Sequence, residues 1–140
     1  MLEYRSVPLV KQICDALERE VNNAVRAQGL TYSQIQFLLR LSETDDGALS
    51  LKELEERLNV SQATVAGLGR RLVQKGFIEL QYDANDRRVK HARITARGAF
   101  KCDEAHEHMD AIERKLTAGL SDTEIRQFND LLYRARESLK

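Results

Sequence analysis

Asp86-Arg87-Arg88-Val89-Lys90-His91-Ala92-Arg93-Ile94-Thr95 closes the stretch on which the reading of this chain turns. Upstream of it, from Leu49, run a short helical pattern, a second helical pattern and a strand from Phe77 to Tyr82. A polar tip follows, Asp83-Ala84-Asn85-Asp86, and then a second strand from Val89 to Ile94. That order, ending at Gly98, is a helix-turn-helix with a β-hairpin wing. The second helix of such a unit can enter a DNA major groove, and the wing can reach the adjacent minor groove. The charge distribution agrees. Between Ser61 and Arg97 there are eight Lys/Arg against three Asp/Glu, while the rest of the chain has 14 against 19. A formal net charge of zero therefore conceals a dipolar molecule. A nucleic-acid reader needs a local basic face rather than a basic average.

At 140 residues, with 42% hydrophobic and 31% charged side chains, the chain fits one domain whose core needs neither disulfides nor metal. No apolar run approaches the ~18 residues of a membrane span. The opening Met1-Leu2-Glu3-Tyr4-Arg5 has no signal-peptide core. Cys14 and Cys102 make no disulfide framework. These features predict a cytoplasmic protein without a cofactor. They also argue against an enzyme, because the chain has no G-x-S-x-G, no phosphate loop and no H-E-x-x-H.

Helix starts are written locally. Thr31-x-x-Gln34, Ser50-x-x-Glu53 and Ser121-x-x-Glu124 each fit a capping box. Gly29, Gly76 and Gly119 stand where helices should stop, and Asp45-Asp46-Gly47 reads as a turn. The expected helices run over residues 7–28, 32–43, 51–58, 62–75, 96–118 and 122–139, each end uncertain by about 2–4 residues.

The helix after the wing carries Cys102, Ala105, Met109, Ile112 and Leu116 at heptad-like spacing. The last helix offers Ile125, Phe128, Leu132, Ala135 and Leu139, and the first offers Val10, Ile13, Leu17, Val21 and Val25. This is more apolar surface than a small DNA-binding unit needs to cover itself. It predicts a homodimer interface through Leu9, Ile13, Leu17, Met109, Ile112, Leu116, Phe128 and Leu132. The alternative is an intramolecular bundle over the wing unit. The expected layout is one mainly α domain over residues 1–140. Residues 31–98 form the winged DNA-binding part, and residues 1–30 and 99–140 form the helical dimerisation part.

On a 100° wheel Val65, Leu68 and Leu72 of the second helix face the core. Ala63, Gly67, Arg70 and Gln74 face away, with Gln62 and Ala66 on one flank and Arg71 on the other. Ser61 is the expected N-cap, followed by Thr64, and a helix start can also hold a phosphate. Gln62 can pair with adenine, Arg70 with guanine, and Ala63 can touch a thymine methyl. Gly67 leaves a flat surface. In the wing, Arg88 is expected to enter the minor groove, with Arg87 and Lys90 on phosphates. Asp86 either aims Arg88 through a charge-assisted bond or is simply a turn residue.

At this point the chain resembles the MarR/SlyA family of bacterial regulators. The resemblance runs through Gly29-Leu30-Thr31-x-x-Gln34, Leu51-x-x-Leu54-x-x-x-Leu58 and Val60-Ser61-x-x-Thr64-Val65. It continues through Leu72-x-x-x-Gly76-Phe77-Ile78 and Asp86-x-Arg88 to Ile94-Thr95-x-x-Gly98. It implies an obligate homodimer on a pseudo-palindromic double-stranded operator, often released by a small phenolic or lipophilic ligand. The chain departs from the family pattern at Gly67 and Leu80, where an arginine is common, and Gly69 adds a second helix-interior glycine.

Other regulatory signals are open. Cys14 resembles the reactive cysteine of the peroxide-sensing branch, yet only 18 positions separate it from Tyr32. A free cysteine is most often a small buried hydrophobe. Cys102, His106 and Asp110 share a helix side, as do Glu104 and His108, and these groups suit zinc. A winged-helix protein-interaction module is the reading from a different class. It calls for an acidic or apolar second helix and no basic wing, which is the opposite of this chain.

Overall fold

The computed structural model describes residues 5–140. The absence of a signal core was read mostly from residues 1–4, which lie outside the described residues. The order of elements is α1 (Ser6–Ala27), α2 (Tyr32–Ser42), β1 (Ala48–Ser50), α3 (Leu51–Leu58), α4 (Gln62–Gln74), β2 (Ile78–Tyr82), β3 (Lys90–Ile94), α5 (Ala96–Leu116) and α6 (Asp122–Ser138).

All three capping boxes form. Thr31, Ser50 and Ser121 each accept from the backbone N–H three residues on, and the side chains of Gln34, Glu53 and Glu124 reach back. Gly29 and Gly76 adopt φ of 71° and 79° after α1 and α4, the left-handed conformation that ends a helix. One stop differs from expectation. Gly119 is not left-handed; α5 ends two residues early, and the Thr117 hydroxyl donates to the Glu113 carbonyl at 2.9 Å. At the end of α3 the left-handed residue is Asn59, with φ 54°, a residue type that tolerates this region through its short polar side chain.

The wing belongs to a three-stranded antiparallel sheet, order β1-β3-β2. Strand β1 escapes the sequence because three residues are too few to show alternation. Its pairing, Ala48 with Arg93, Leu49 with Ala92 and Ser50 with His91, supplies partners for the free edge of β3. On the inner face Ala92 and Ile78 are almost fully buried, beneath Phe37, Leu38 and Leu41 of α2, Leu54 of α3, and Val65 and Leu72 of α4. Burying each Leu or Phe contributes roughly 1.5–3 kcal/mol, so this cluster fixes how α4 sits on the sheet. Leu68 is only half-buried. The buried position beside it is Gly69, where a Cβ would meet Leu80 at 3.7 Å and Phe37 at 3.9 Å. Leu80 thus packs against α4 at its second glycine.

Helices α1 and α5 pack on each other and on α2, carrying Val25, Cys102 and Ala105 into the core. Helix α6 does not join them. None of its residues is buried, and it has hardly any contact with other elements of its own chain. Helix α6 is therefore left out of the packing that α1 and α5 make over the wing unit. Among the residues expected at a dimer interface, Leu9, Met109 and Leu132 are exposed, while Ile13, Leu17, Leu116 and Phe128 are half-buried. Ile112 is covered within the chain. No helix of the described residues is long and apolar enough to cross a membrane.

Candidate nucleic-acid interface

Helix α4 begins as expected. Ser61 is extended (φ −72°, ψ 160°), its hydroxyl accepts from Thr64 N at 3.2 Å, and the two hydroxyls lie 2.9 Å apart. No side chain reaches back to the Ser61 N–H, because position 64 is Thr rather than Glu or Gln. Val65, Gly69 and Leu72 are buried, and Gln62, Ala63, Arg70, Arg71 and Gln74 are exposed. A Cβ on Gly67 would have the Arg70 guanidinium nitrogen as its nearest neighbour, at 3.8 Å. The flat surface is thus partly filled: Arg70 lies back across the glycine.

The wing tip is built from two aspartates. Asp86 Oδ1 accepts from the Arg88 backbone N–H and from Arg88 Nε, both at 3.0 Å, and Oδ2 accepts from Nη2 at 3.1 Å. The turn reading and the aiming reading of Asp86 are therefore one structure: the same carboxylate closes the turn and grips the guanidinium with both oxygens. These bonds, the side-chain ones first, hold the Asp86 carboxyl below its usual range, and the Asp86 bond raises Arg88. Asp83 does the same work at the base. It accepts from Asn85 N at 2.7 Å and pairs with His91 Nε2 at 3.1 Å, and the Asn85 bond leads in lowering its pKa. Sequence reading missed this pair. The Asp-x-Asn spacing, in which an aspartate bonds the backbone two residues on, is the signal that could have found it. The tip is closed by Val89 N–H to Asp86 O at 3.0 Å and Asp83 N–H to Val89 O at 2.8 Å.

Between α4 and the wing opens a groove of about 510 Å³. Gln62, Ala66, Arg88 and Lys90 line it, together with Tyr82, Lys52 and Glu55. Lys90 Nζ sits 5.3 Å from the Tyr82 ring centre, an arrangement that attracts a cation to an aromatic face. Lys52 lies outside the basic stretch of the sequence. It enters the groove because Ser50 caps α3 and places the first turn of that helix opposite the wing. Other cations of the stretch also bond within the chain, although Arg93 and Arg97 stay exposed. Lys75 donates to Gly29 O at 2.8 Å, Arg93 to Asp46 O at 2.8 Å, and Arg97 stacks on Phe77. Arg70, Arg71, Arg87, Arg88 and Lys90 remain exposed.

The two cysteines differ in their surroundings. Cys14 is exposed on α1, not buried as a free cysteine usually is. Cys102 is buried, and burial pushes its thiol up. His106 and Asp110 are exposed while Cys102 faces the core, and no three His, Cys, Asp or Glu come together to hold a metal among the described residues.

A family model described as MarR family matches residues 30–90, which span α2 to the start of β3. The HTH-type transcriptional repressor MdtR of Bacillus subtilis is 29% identical over 111 residues, covering 79% of this chain and 70% of MdtR. The chain spans 66% and 46% of the lengths of two other Bacillus subtilis regulators that it matches. Among solved structures, a mutant of MepR from S. aureus superposes with a TM-score of 0.86 at 23% identity, covering 98% of this chain and 100% of MepR. A mutant of MarR from E. coli in complex with operator DNA gives 0.74 at 23% identity, covering 91% of each chain.

Proposed function

We propose that the chain is a MarR-type winged helix-turn-helix regulator, a homodimeric repressor reading an inverted-repeat operator in the cytoplasm of a bacterial or archaeal cell. The observation that carries this reading is the convergence of α4 and the wing on one basic groove, with Arg88 held outward by both oxygens of Asp86. In this reading residues 31–98 engage DNA. Helix α4 lies in the major groove with Ser61 and Thr64 at its start. Gln62, Ala63, Gly67, Arg70 and Arg71 turn to the bases and their flanks. Arg88 enters the minor groove, with Asp86 aiming it and Arg87 and Lys90 on phosphates.

Residues 1–30 and 99–140 form the dimer. The apolar stripe of α6 is largely uncovered among the described residues: Ile125 and Phe128 are half-buried, while Leu132 is 43% and the neighbouring Leu131 57% exposed. A second copy with two-fold symmetry supplies that cover and spaces two α4 helices for a palindrome. Repression is supported by the names of relatives such as MdtR and MprA, both called repressors. For release, the supporting feature is a recess between α1, α2 and α5, lined by Val21, Val25, Ile35, Leu39, Met109 and the half-buried His108. Its volume is about 30 Å³, so a small aromatic or lipophilic effector must open it. The buried Gln28 Oε1 beside it has no partner among the described residues.

Selection of bound DNA from a random pool tests the reading. An inverted repeat with half-site centres about one helical turn apart, or a multiple, is expected, together with twice the 16.0 kDa chain mass by light scattering. A clean monomer, or a pool without symmetric enrichment, overturns it. Gln62→Ala and Arg70→Ala should each lose about 1–3 kcal/mol of discrimination at particular base pairs.

A further inference from the structure

The wing groove lies on one flank of α4, and a second recess lies on the other. Gln62 and Ala66 face the first, and Thr64 and Leu68 face the second. On a 100° wheel these pairs are about 200° apart, on either side of the exposed ridge of Ala63, Gly67, Arg70 and Gln74. The second recess has a volume of about 280 Å³ and sits between α2, the end of α3 and the start of α4. Its lining holds Arg40, Arg57, Tyr32 and Ser33, and no carboxylate among the described residues. Arg40 Nη2 bonds Glu43 at 3.0 Å, outside the recess, and its Nε is buried without an acceptor among the described residues. Arg57 is exposed and has no carboxylate within bonding distance among the described residues.

We propose that this recess seats a backbone phosphate of the DNA strand opposite the one met by the wing, with Arg57 as the contacting cation and Arg40, Tyr32 and Ser33 as its walls. The proposal rests on the DNA-reading assignment above and deepens it. An α-helix with side chains is about 10–12 Å across and the major groove about 12 Å wide, so a helix seated there brings its two flanks against the two strands. One flank of α4 carries Lys52, Arg88 and Lys90 for one strand. The other flank is lined by Arg40 and Arg57, and a phosphate oxygen can accept charge-assisted bonds from guanidinium groups there.

The test uses the full-length protein and its selected operator. Arg57 is exposed in the last turn of α3, so Arg57→Ala should leave the unfolding midpoint unchanged. It should weaken binding by the same factor on the operator and on variants with altered half-sites, and reduce the slope of log affinity against log salt by about one. Arg57→Lys should restore the slope. Replacing backbone phosphates one at a time by neutral methylphosphonate should reveal one position, on the strand away from the wing, where the wild type and Arg57→Ala bind equally. An unchanged slope, or a deficit that persists at every neutralised phosphate, overturns the proposal while sequence-selective binding by the wild type leaves the broader reading intact. If Arg57→Ala instead removes only a thermal stabilisation by inorganic phosphate, the recess serves a free anion and the DNA assignment of Arg57 is overturned. Failure of the wild type to select any DNA refutes both.

Discussion

Two glycines inside helices should respond to alanine with opposite signs. At Gly98, in the first turn of α5, a Cβ would lie 2.2 Å from the Phe77 carbonyl oxygen, 3.1 Å from its carbon and 2.8 Å from Ile94 Cγ1. A carbon–oxygen contact needs about 3.3 Å, so something must move by roughly 1 Å. Phe77 O is not free to yield, because it accepts the Thr95 N–H at 3.0 Å and lies where the sheet joins α5. Overpacking of this kind costs about 1–3 kcal/mol. Losing the Thr95 bond adds about 1 kcal/mol, and better helix propensity returns up to about 1 kcal/mol. The net expectation for Gly98→Ala is a loss of about 1–3 kcal/mol. At Gly67 the nearest atom is the flexible end of Arg70, at 3.8 Å, so Gly67→Ala should gain about 0.5–1 kcal/mol. Urea midpoints with matched m values, at one fixed protomer concentration, measure both. Relief of the clash pushes α5 from β2 and tilts the reading unit against the helical part, so Gly98→Ala should also bind the operator more weakly. A Gly98→Ala protein as stable as the wild type would refute the close approach as the device that joins the two parts.

Asp86→Ala should weaken operator binding and flatten the preference for A·T flanks, although it removes a negative charge facing DNA; tighter binding in a gel-shift titration would reduce Asp86 to a turn residue. Its carboxyl is held below the ordinary value of 3.8, so the grip on Arg88 is complete above that value and is lost only as pH falls through the lower folded one. Wing-dependent affinity should therefore not vary through this pair between about pH 6 and 8. Cys102 has the opposite sign. Burial raises its thiol above 9.0, so its contribution to stability is full below that pH and declines as pH rises through the folded value. In a Cys14→Ser background, Cys102 should react with a thiol reagent only at the rate of unfolding; labelling as fast as in urea would exclude its burial.

Most helix starts were legible because a cap is a conversation between residues three apart. Thr31 with Gln34, Ser50 with Glu53, and Ser121 with Glu124 needed no tertiary context. The apolar stripes and the second helix of the reading unit were legible for the same local reason. The aspartate grip on Arg88 was legible as one of two alternatives, because both partners lie within two residues. What escaped depends on residues far apart in sequence. Strand β1 exists because β3 has an edge to fill, and Gly69 is buried because Leu80 packs against it. Lys52 reaches the wing groove because a cap on one element aims it at another.

The sequence alone determined which segments are helical, where they stop to within a turn, which face of α4 is free and where positive charge concentrates. These follow from backbone hydrogen bonds, side-chain periodicity and formal charge, all of which act over a few residues. The tertiary structure decided what each of those charges contacts. Lys75, Arg93 and Arg97 are drawn into carbonyls and a ring, while Arg57, from outside the basic stretch, faces an open recess. It also decided that α6 stands largely uncovered. The physical reason is that a cation's partner and a stripe's cover are set by distance in space, and packing α2, α3 and α4 around one buried cluster is what fixes those distances.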